Sequence, residues 1–366
     1  MSNPPPLLRL LLLIMLVCPP MVMANMGTPL MWATFGHLML GNVIIGLMEG
    51  WMLMRWFGAA RGKALGGLIV GNFLSALAGV ISIRVWLFDR LPVDLNNGMT
   101  WFWMLVGLAY VLTLLLEWPF VFWALKETEF KRLSQSVKAS LLIQTVSYLL
   151  LAGWYGLSSQ MPIYSEVTVV APAELNLPGN VQVHYISAED GQVYRRMLAG
   201  GAEQKVSEEV SVDGRDKLSF RRNPENSACW DLVYRQLQPE LERVIQSDLP
   251  QGKVPFLVEQ TDGHFPRGFE HGSAPKLGVG PYVWHVTTNV WAGAGLRVWN
   301  QSTRKSYRVG FETPLGQWPI YYAYHLSQGL VVFQLGRDQI CVLDPANRRV
   351  ALLWRGRGAV CTLTDE

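Results

Sequence analysis

The clearest polar side chains inside the long apolar runs of the first half of the sequence are His37, Asn42, Glu49, Asn72, Arg84, Glu117 and Gln144. Uncompensated polar groups are costly in hydrocarbon, so each must find a partner on a neighbouring helix or serve a function. Two carboxylic acids and a histidine are groups that can pass protons or ions, with Glu49 and Glu117 inside the path and His37 as its outer titrating group. Amide side chains at the same depth can instead fix helix register. A second cluster lies far downstream, in TDGHFPRGFEH, where Asp262, His264, Glu270 and His271 offer ligands for a divalent metal ion. Their spacing matches no established metal motif. Polar residues also gather in loops for solvation alone. The later half shows no Gly-x-Ser-x-Gly elbow, Walker A loop, HExxH or paired CxxC. No cofactor is predicted, and catalytic residues cannot be named.

The elements that would hold the first set are four apolar stretches near residues 31–54, 64–87, 100–125 and 139–157. Each is long enough to cross about 30 Å of hydrocarbon as a helix. Arg55, Arg61 and Lys63 fill the first connection, and Lys126, Lys131, Arg132 and Lys138 the third, whereas the second carries Arg90 beside two aspartates. By the positive-inside rule the basic connections face the cytoplasm, and everything after about residue 158 lies outside it. Counted at about 1.5 Å per residue, Glu49, Asn72, Glu117 and Gln144 fall roughly 8–12 Å from the cytoplasmic ends, one per helix, and predict a hydrogen-bonded layer. His37 and Arg84 fall together near the outer boundary. Gly46 and Gly50 have the spacing that lets helices approach closely. The Gly41-Asn42 and Gly71-Asn72 pairs hint at an inverted repeat.

Ahead of these stretches, residues 1–24 carry Arg9, a short apolar run and a break at Pro19-Pro20. They read as a signal peptide cleaved after Ala24 or as an uncleaved helix. Residues 25–157 then form a four-helix transmembrane domain.

Beyond Ser158 the pattern shortens and alternates. Residues 158–247 read as an extracytoplasmic α+β region. Val167–Val170 start a strand, Val181, Val183 and Tyr185 alternate towards a turn at Glu189–Gly191, and Val210-x-Val212 leads through Asp213-Gly214 to Leu218 and Phe220. Trp230, Val233, Leu237, Leu241 and Val244 recur at helical spacing and predict a helix from Ser227 to Gln246, kinked or restarted at Pro239. Residues 248–280 form a Gly/Pro-rich loop. The region 281–366 contains a repeat: LRVWNQSTRKSYRV from Leu296 aligns with ICVLDPANRRVALL from Ile340. In each, alternating apolar residues reach Asn300 or Asp344, whose side chain can bond the turning backbone, and resume after Arg304 or Arg348. These hairpins resemble β-propeller blade hairpins over residues 281–366, but two blades cannot close a propeller. The fold expected is therefore a membrane four-helix bundle followed by a β-rich extracytoplasmic region.

Composition sets the limits on function. Of 366 residues, 50% are hydrophobic and 16% charged, and a net charge of +3 does not suggest nucleic acid. Cys341 and Cys361 fall on neighbouring predicted strands and are the expected disulfide, leaving Cys229 over. The expectation is a multi-pass protein of the bacterial inner membrane with its C-terminal half outside the cytoplasm. Its partners would be the lipid bilayer and another envelope protein or a second copy of itself. The outer domain would act as a binding, scaffold or sensor module. Ion- or proton-coupled transport through the polar layer and metal-dependent chemistry at His264 and His271 are the alternatives.

Overall fold

The computed structural model describes residues 29–125, 129–210, 216–237, 240–255, 272–277, 282–288 and 295–364. They form two compact units. The helical unit takes the described residues up to Val93, Asn97–Ser159 and Thr313–Gly316, and the β unit takes Asp94–Asn96, Gln160–Glu312 and the chain from Gln317 onward.

In the helical unit, α1 (Pro29–Gly36) runs through a π turn (His37–Gly41) into α2 (Asn42–Phe57). Next come α3 (Arg61–Gly79), a second π segment (Val80–Leu87), α4 (Gly98–Ala124) and α5 (Glu129–Ser158). Four segments, Ala33–Phe57, Arg61–Ile83, Gly98–Ala124 and Lys131–Ser158, are long and apolar enough to cross a membrane. They coincide with the four apolar stretches of the sequence. The π segments were not anticipated, because apolar composition does not distinguish i→i−4 from i→i−5 bonding. Gly58, at φ +66°, ends α2 by bonding the carbonyls of Leu53 and Met54, a cap only a left-handed residue makes easily. The amide of Ala60 then bonds the carbonyl of Ala124 at 3.0 Å, so the C-terminal ends of α2 and α4 lie at one end of the unit.

Helix spacing follows from glycine. A Cβ on Gly46 would stand 2.6 Å from the Cα of Ile69, and one on Gly50 would stand 2.9 Å from Leu65. The backbones of α2 and α3 therefore touch where the small-xxx-small spacing predicted it. A Cβ on Gly71 would meet Phe120 and Glu117 of α4, whereas the atoms nearest to one on Gly41 belong to His37 of its own turn and to the carbonyl of Gly36. The two Gly-Asn pairs thus do different jobs, and no inverted repeat follows from them. The surface is apolar: Leu149 is 68% exposed and Leu115 64%, while Glu49 and Glu117 are fully buried. That is the reverse of a water-soluble bundle.

The β unit has eighteen strands among the described residues: β1 (Thr168–Val169), β2 (Val181–Ser187), β3 (Gln192–Met197), β4 (Gln204–Val210), β5 (Lys217–Arg222), β6 (Cys229–Leu237), β7 (Glu240–Pro250), β8 (Gly272–Ser273), β9 (Lys276–Leu277), β10 (Trp284–Thr288), β11 (Leu296–Asn300), β12 (Ser306–Val309), β13 (Phe311–Thr313), β14 (Gly316–Trp318), β15 (Ile320–Leu326), β16 (Val331–Leu335), β17 (Gln339–Asp344) and β18 (Arg349–Leu363). A large curled mixed sheet runs β4-β3-β2-β18-β17-β16-β15-β9, with β1 parallel to β18. Smaller sheets are β12-β11-β10-β8, β5-β6-β7 and β13-β14. The fifteen-residue β18 pairs with β17 as far as Arg355 and with β2 from Gly356. At the changeover Gly356 lies against Tyr185, and Gly358, at φ +60°, bonds Gln334 Oε1 at 2.8 Å. A side chain at Gly356 would collide with the Tyr185 ring, so the switch of neighbours depends on that glycine.

Both repeat hairpins form as read. Asn300 Oδ1 accepts from the Thr303 amide at 2.9 Å, and Asp344 Oδ1 from the Asn347 amide at 3.1 Å. Arg304 and Arg348 occupy matching left-handed positions at φ +55° and +51°. The second makes no isolated blade, because β18 continues into the large sheet, while the first lies in the separate four-stranded sheet β12-β11-β10-β8. The β2–β3 hairpin also forms, with Tyr185 opposite Tyr194.

One expectation fails. Residues 227–246 are not helical, since β6 and β7 pair antiparallel through most of that span. Trp230, Leu232 and Tyr234 alternate onto one buried face. Helical and strand periods share several of the same positions in so short a run, and strand-favouring Trp, Val and Tyr decide between them. The expected turn at Asp213-Gly214 lies outside the described residues; β4, before it, pairs with β3, and β5, after it, with β6. Among the described residues, the regular structure of 159–247 is thus almost wholly β, with helix confined to a four-residue α6 (Pro162–Ser165) and a 3₁₀ turn.

Gly46→Ala is expected to destabilise the helical unit by about 1–3 kcal/mol, because its Cβ meets backbone that must move. Gly107→Ala in α4 has open space around it and is expected to be neutral or slightly stabilising. Thermal unfolding of the full chain in detergent micelles measures both.

Candidate functional site

The predicted polar layer exists, and its wiring is specific. Glu49 on α2 accepts one hydrogen bond from Asn72 Nδ2 of α3 at 2.6 Å and a second from Ser147 Oγ of α5. Glu117 on α4 accepts one from Ser75 Oγ of α3 at 2.6 Å and a second from Gln144 Nε2 of α5. Each carboxyl therefore binds one amide and one hydroxyl, on two different helices. All six residues are buried. The two carboxyls are close enough to interact electrostatically. The donors on α3 and α5 lie three residues apart, on one helix face each, so one helix serves both acids.

Sequence reasoning named four of these six residues. It missed Ser75 and Ser147, whose hydroxyls are too common in apolar helices to be singled out. The i, i+3 spacing from Asn72 and from Gln144 was the available signal.

The remaining members of the first set do not join the layer. His37 Nδ1 lies 2.6 Å from the Tyr155 hydroxyl, with the rings edge to face, and Trp154 Nε1 bonds the Ala33 carbonyl at 3.3 Å. These contacts tie the start of the first apolar segment to the end of the fourth. Asn42 is buried and stays with its own segment, its Nδ2 3.5 Å from the Leu38 carbonyl and its side chain bonded to His37. Arg84 sits on the second π segment, and its side chain is outside the described residues. Asp262, His264, Glu270 and His271 also lie outside the described residues. Among the described residues, no group of three His, Cys, Asp or Glu side chains is placed to hold a metal.

The expected Cys341–Cys361 disulfide is corrected. Both thiols are free and buried, as Cys229 is free and half-buried. Cys341 on β17 faces Leu352, whereas Cys361 lies further along β18 and faces Val183 of β2. The two strands are neighbours, but β18 is long enough to carry its cysteine past the end of β17. Burial pushes both thiols well above the usual cysteine range, which makes them inert.

Two histidines that the sequence gave no reason to single out are core residues of the β unit. His325 on β15 donates from Nε2 to the Trp284 carbonyl at 2.7 Å, fixing β10 beside it. His184 on β2 is fully buried with Nε2 3.2 Å from Thr362 Oγ1, and its Nδ1 has no partner among the described residues. Burial, with a smaller contribution from the Arg195 charge, lowers the His184 pKa to about 3. It is neutral in the folded protein.

No protein-family profile and no curated protein matches the chain. Among solved structures, the crystal structure of TolB from Acinetobacter baumannii aligns at 11% identity over 61% of this chain and 59% of that one, with a TM-score of 0.21. The chain thus spans under two thirds of that protein's length.

Two measurements follow. The unfolded chain binds a proton at His184 below about pH 6.5 while the folded chain does not, so stability is complete above that pH and falls on acidification towards about pH 3. The slope from this residue approaches about 1.4 kcal/mol per pH unit, and His184→Gln should flatten unfolding midpoints recorded between pH 6.5 and 5. Thiol titration of the denatured, unreduced protein should find Cys229, Cys341 and Cys361 all reactive.

Proposed function

We propose that the chain is a multi-pass protein of the bacterial inner membrane, whose helical unit anchors an extracytoplasmic β unit that binds another envelope component. One observation carries this reading: the helical unit is apolar on its surface and polar within, and most of its basic residues gather at one end, with Arg84 and Arg90 at the other. Lys63 lies over the Trp123 ring at 5.0 Å and Arg132 over the Phe122 ring at 5.4 Å, beside the Ala60–Ala124 bond. A cationic end with aromatic partners suits the cytoplasmic headgroup region. The chain leaves α5 at the opposite end.

The anchoring role rests on the saturation of the layer. Each of the four carboxyl oxygens takes a donor from another helix, an arrangement that fixes register and closes the bundle. A transport reading draws on the same acids, because their four donors are neutral and leave the carboxyls free to exchange a proton or cation. Glu49→Gln and Glu117→Gln separate the two. An anchor keeps its abundance and the binding role of its β unit, while a transporter loses an ion-dependent phenotype at normal abundance.

Alkaline phosphatase fused after Glu366 is expected to be active and a cytosolic reporter there inactive, with the reverse after Phe57. The opposite pattern would remove the β unit from the envelope. Cross-linking in intact membranes is expected to give one defined adduct through the β unit, and a chain that stays unmodified there argues against the binding role.

A further inference from the structure

The wiring of the polar layer repeats. Glu117 follows Glu49 by 68 residues, while Gln144 follows Asn72, and Ser147 follows Ser75, by 72. Under these two offsets α2 maps onto α4 and α3 onto α5. The bond Asn72→Glu49 maps onto Gln144→Glu117, and Ser147→Glu49 maps onto Ser75→Glu117. The correspondence extends beyond the layer. A Cβ on Gly50 would stand 3.0 Å from the Ala64 carbonyl oxygen, and the matching pair, Trp118 and Ser136, is joined by a bond from Trp118 Nε1 to Ser136 Oγ at 2.9 Å. Arg61 and Glu129 begin α3 and α5 twelve residues after their respective glutamates. The difference of four between the offsets is therefore one extra helical turn early in α5. Both connections are basic.

We infer that the helical unit is a tandem duplication of one two-helix hairpin, its halves parallel and related by a pseudo-two-fold axis along the bundle, and that the serines lock one half to the other. Within each half the amide reaches its own glutamate. The hydroxyl crosses to the glutamate of the other half. Neither acid has both its donors until the two hairpins are docked, so the layer reports assembly of the bundle. Parallel repeats about an axis along the membrane normal are one of the two ways membrane bundles duplicate. The bond from Ala60 to Ala124, between matching ends of the halves, fits that direction and not an inverted one. The inference stands apart from the role of the β unit.

The test uses the full chain in native membranes, with Ala60→Cys and Ala124→Cys as a disulfide reporter of hairpin docking in a background lacking the natural cysteines. Ser75→Ala with Ser147→Ala removes the crossing bonds and is expected to lower the disulfide yield several-fold. Asn72→Leu with Gln144→Leu removes only bonds within each hairpin and should leave the yield little changed. In purified protein, Ser75→Ala and Ser147→Ala should shift the unfolding midpoint alike, by about 2 °C each. An unchanged yield in the serine pair, an equal loss in the amide pair, or one silent serine beside a sensitive one would overturn the assignment.

Discussion

A carboxyl group removed from water must be given hydrogen-bond donors, and in a helical bundle those donors can come only from other helices. This constraint organises the helical unit. Glu49 and Glu117 have no exposure, and each oxygen is met by a neutral donor. Each such bond in a membrane bundle contributes modestly, about 0.6–2 kcal/mol. The consequence of breaking one is larger, because it leaves a polar atom stranded. The four bonds join α2–α3, α2–α5, α3–α4 and α4–α5, which closes the ring. Rotating any one helix would cost bonds to both of its neighbours.

The glycine contacts work with that wiring. Asn72 reaches Glu49 at 2.6 Å because Gly46 and Gly50 bring α2 and α3 backbone to backbone on the same face. In the second half, Trp118 replaces the Gly50 equivalent and the contact is made by its indole nitrogen on Ser136. Here α4 and α5 are also joined through Tyr110 to Thr145 and Thr113 to Tyr148, each at 2.9 Å. Equivalent positions are thus held by close packing in one half and by side-chain bonds in the other.

Much of this was legible in sequence because the relevant signals are local or periodic. Four apolar runs, one polar residue at a common depth in each, and two Asx-turn hairpins need only the order of residues. Ser75 and Ser147 were not legible, since a hydroxyl in a helix usually bonds its own turn and becomes informative only when a neighbour supplies the acceptor. The segment 227–246 misled because Trp230, Val233 and Leu237 satisfy a helical period, while the alternation of Trp230, Leu232 and Tyr234 satisfies a strand. The cysteine pairing failed on register: adjacency of strands says nothing about how far one overruns the other.

That overrun also explains why the β17–β18 hairpin does not close off a blade. β15 to β18 form an antiparallel meander, and a propeller blade would end with its fourth strand at an edge. Here the fourth strand continues past β17 and, at Gly356, takes β2 as its new neighbour. The buried Tyr185 ring occupies the space a side chain there would need. Val360 and Cys361, beyond the switch, share a core cluster with Ile340 and Val342, before it. The sheet curls instead of ending because one strand belongs to both of its halves, and the apolar residues on each side of Gly356 are buried in the same interior.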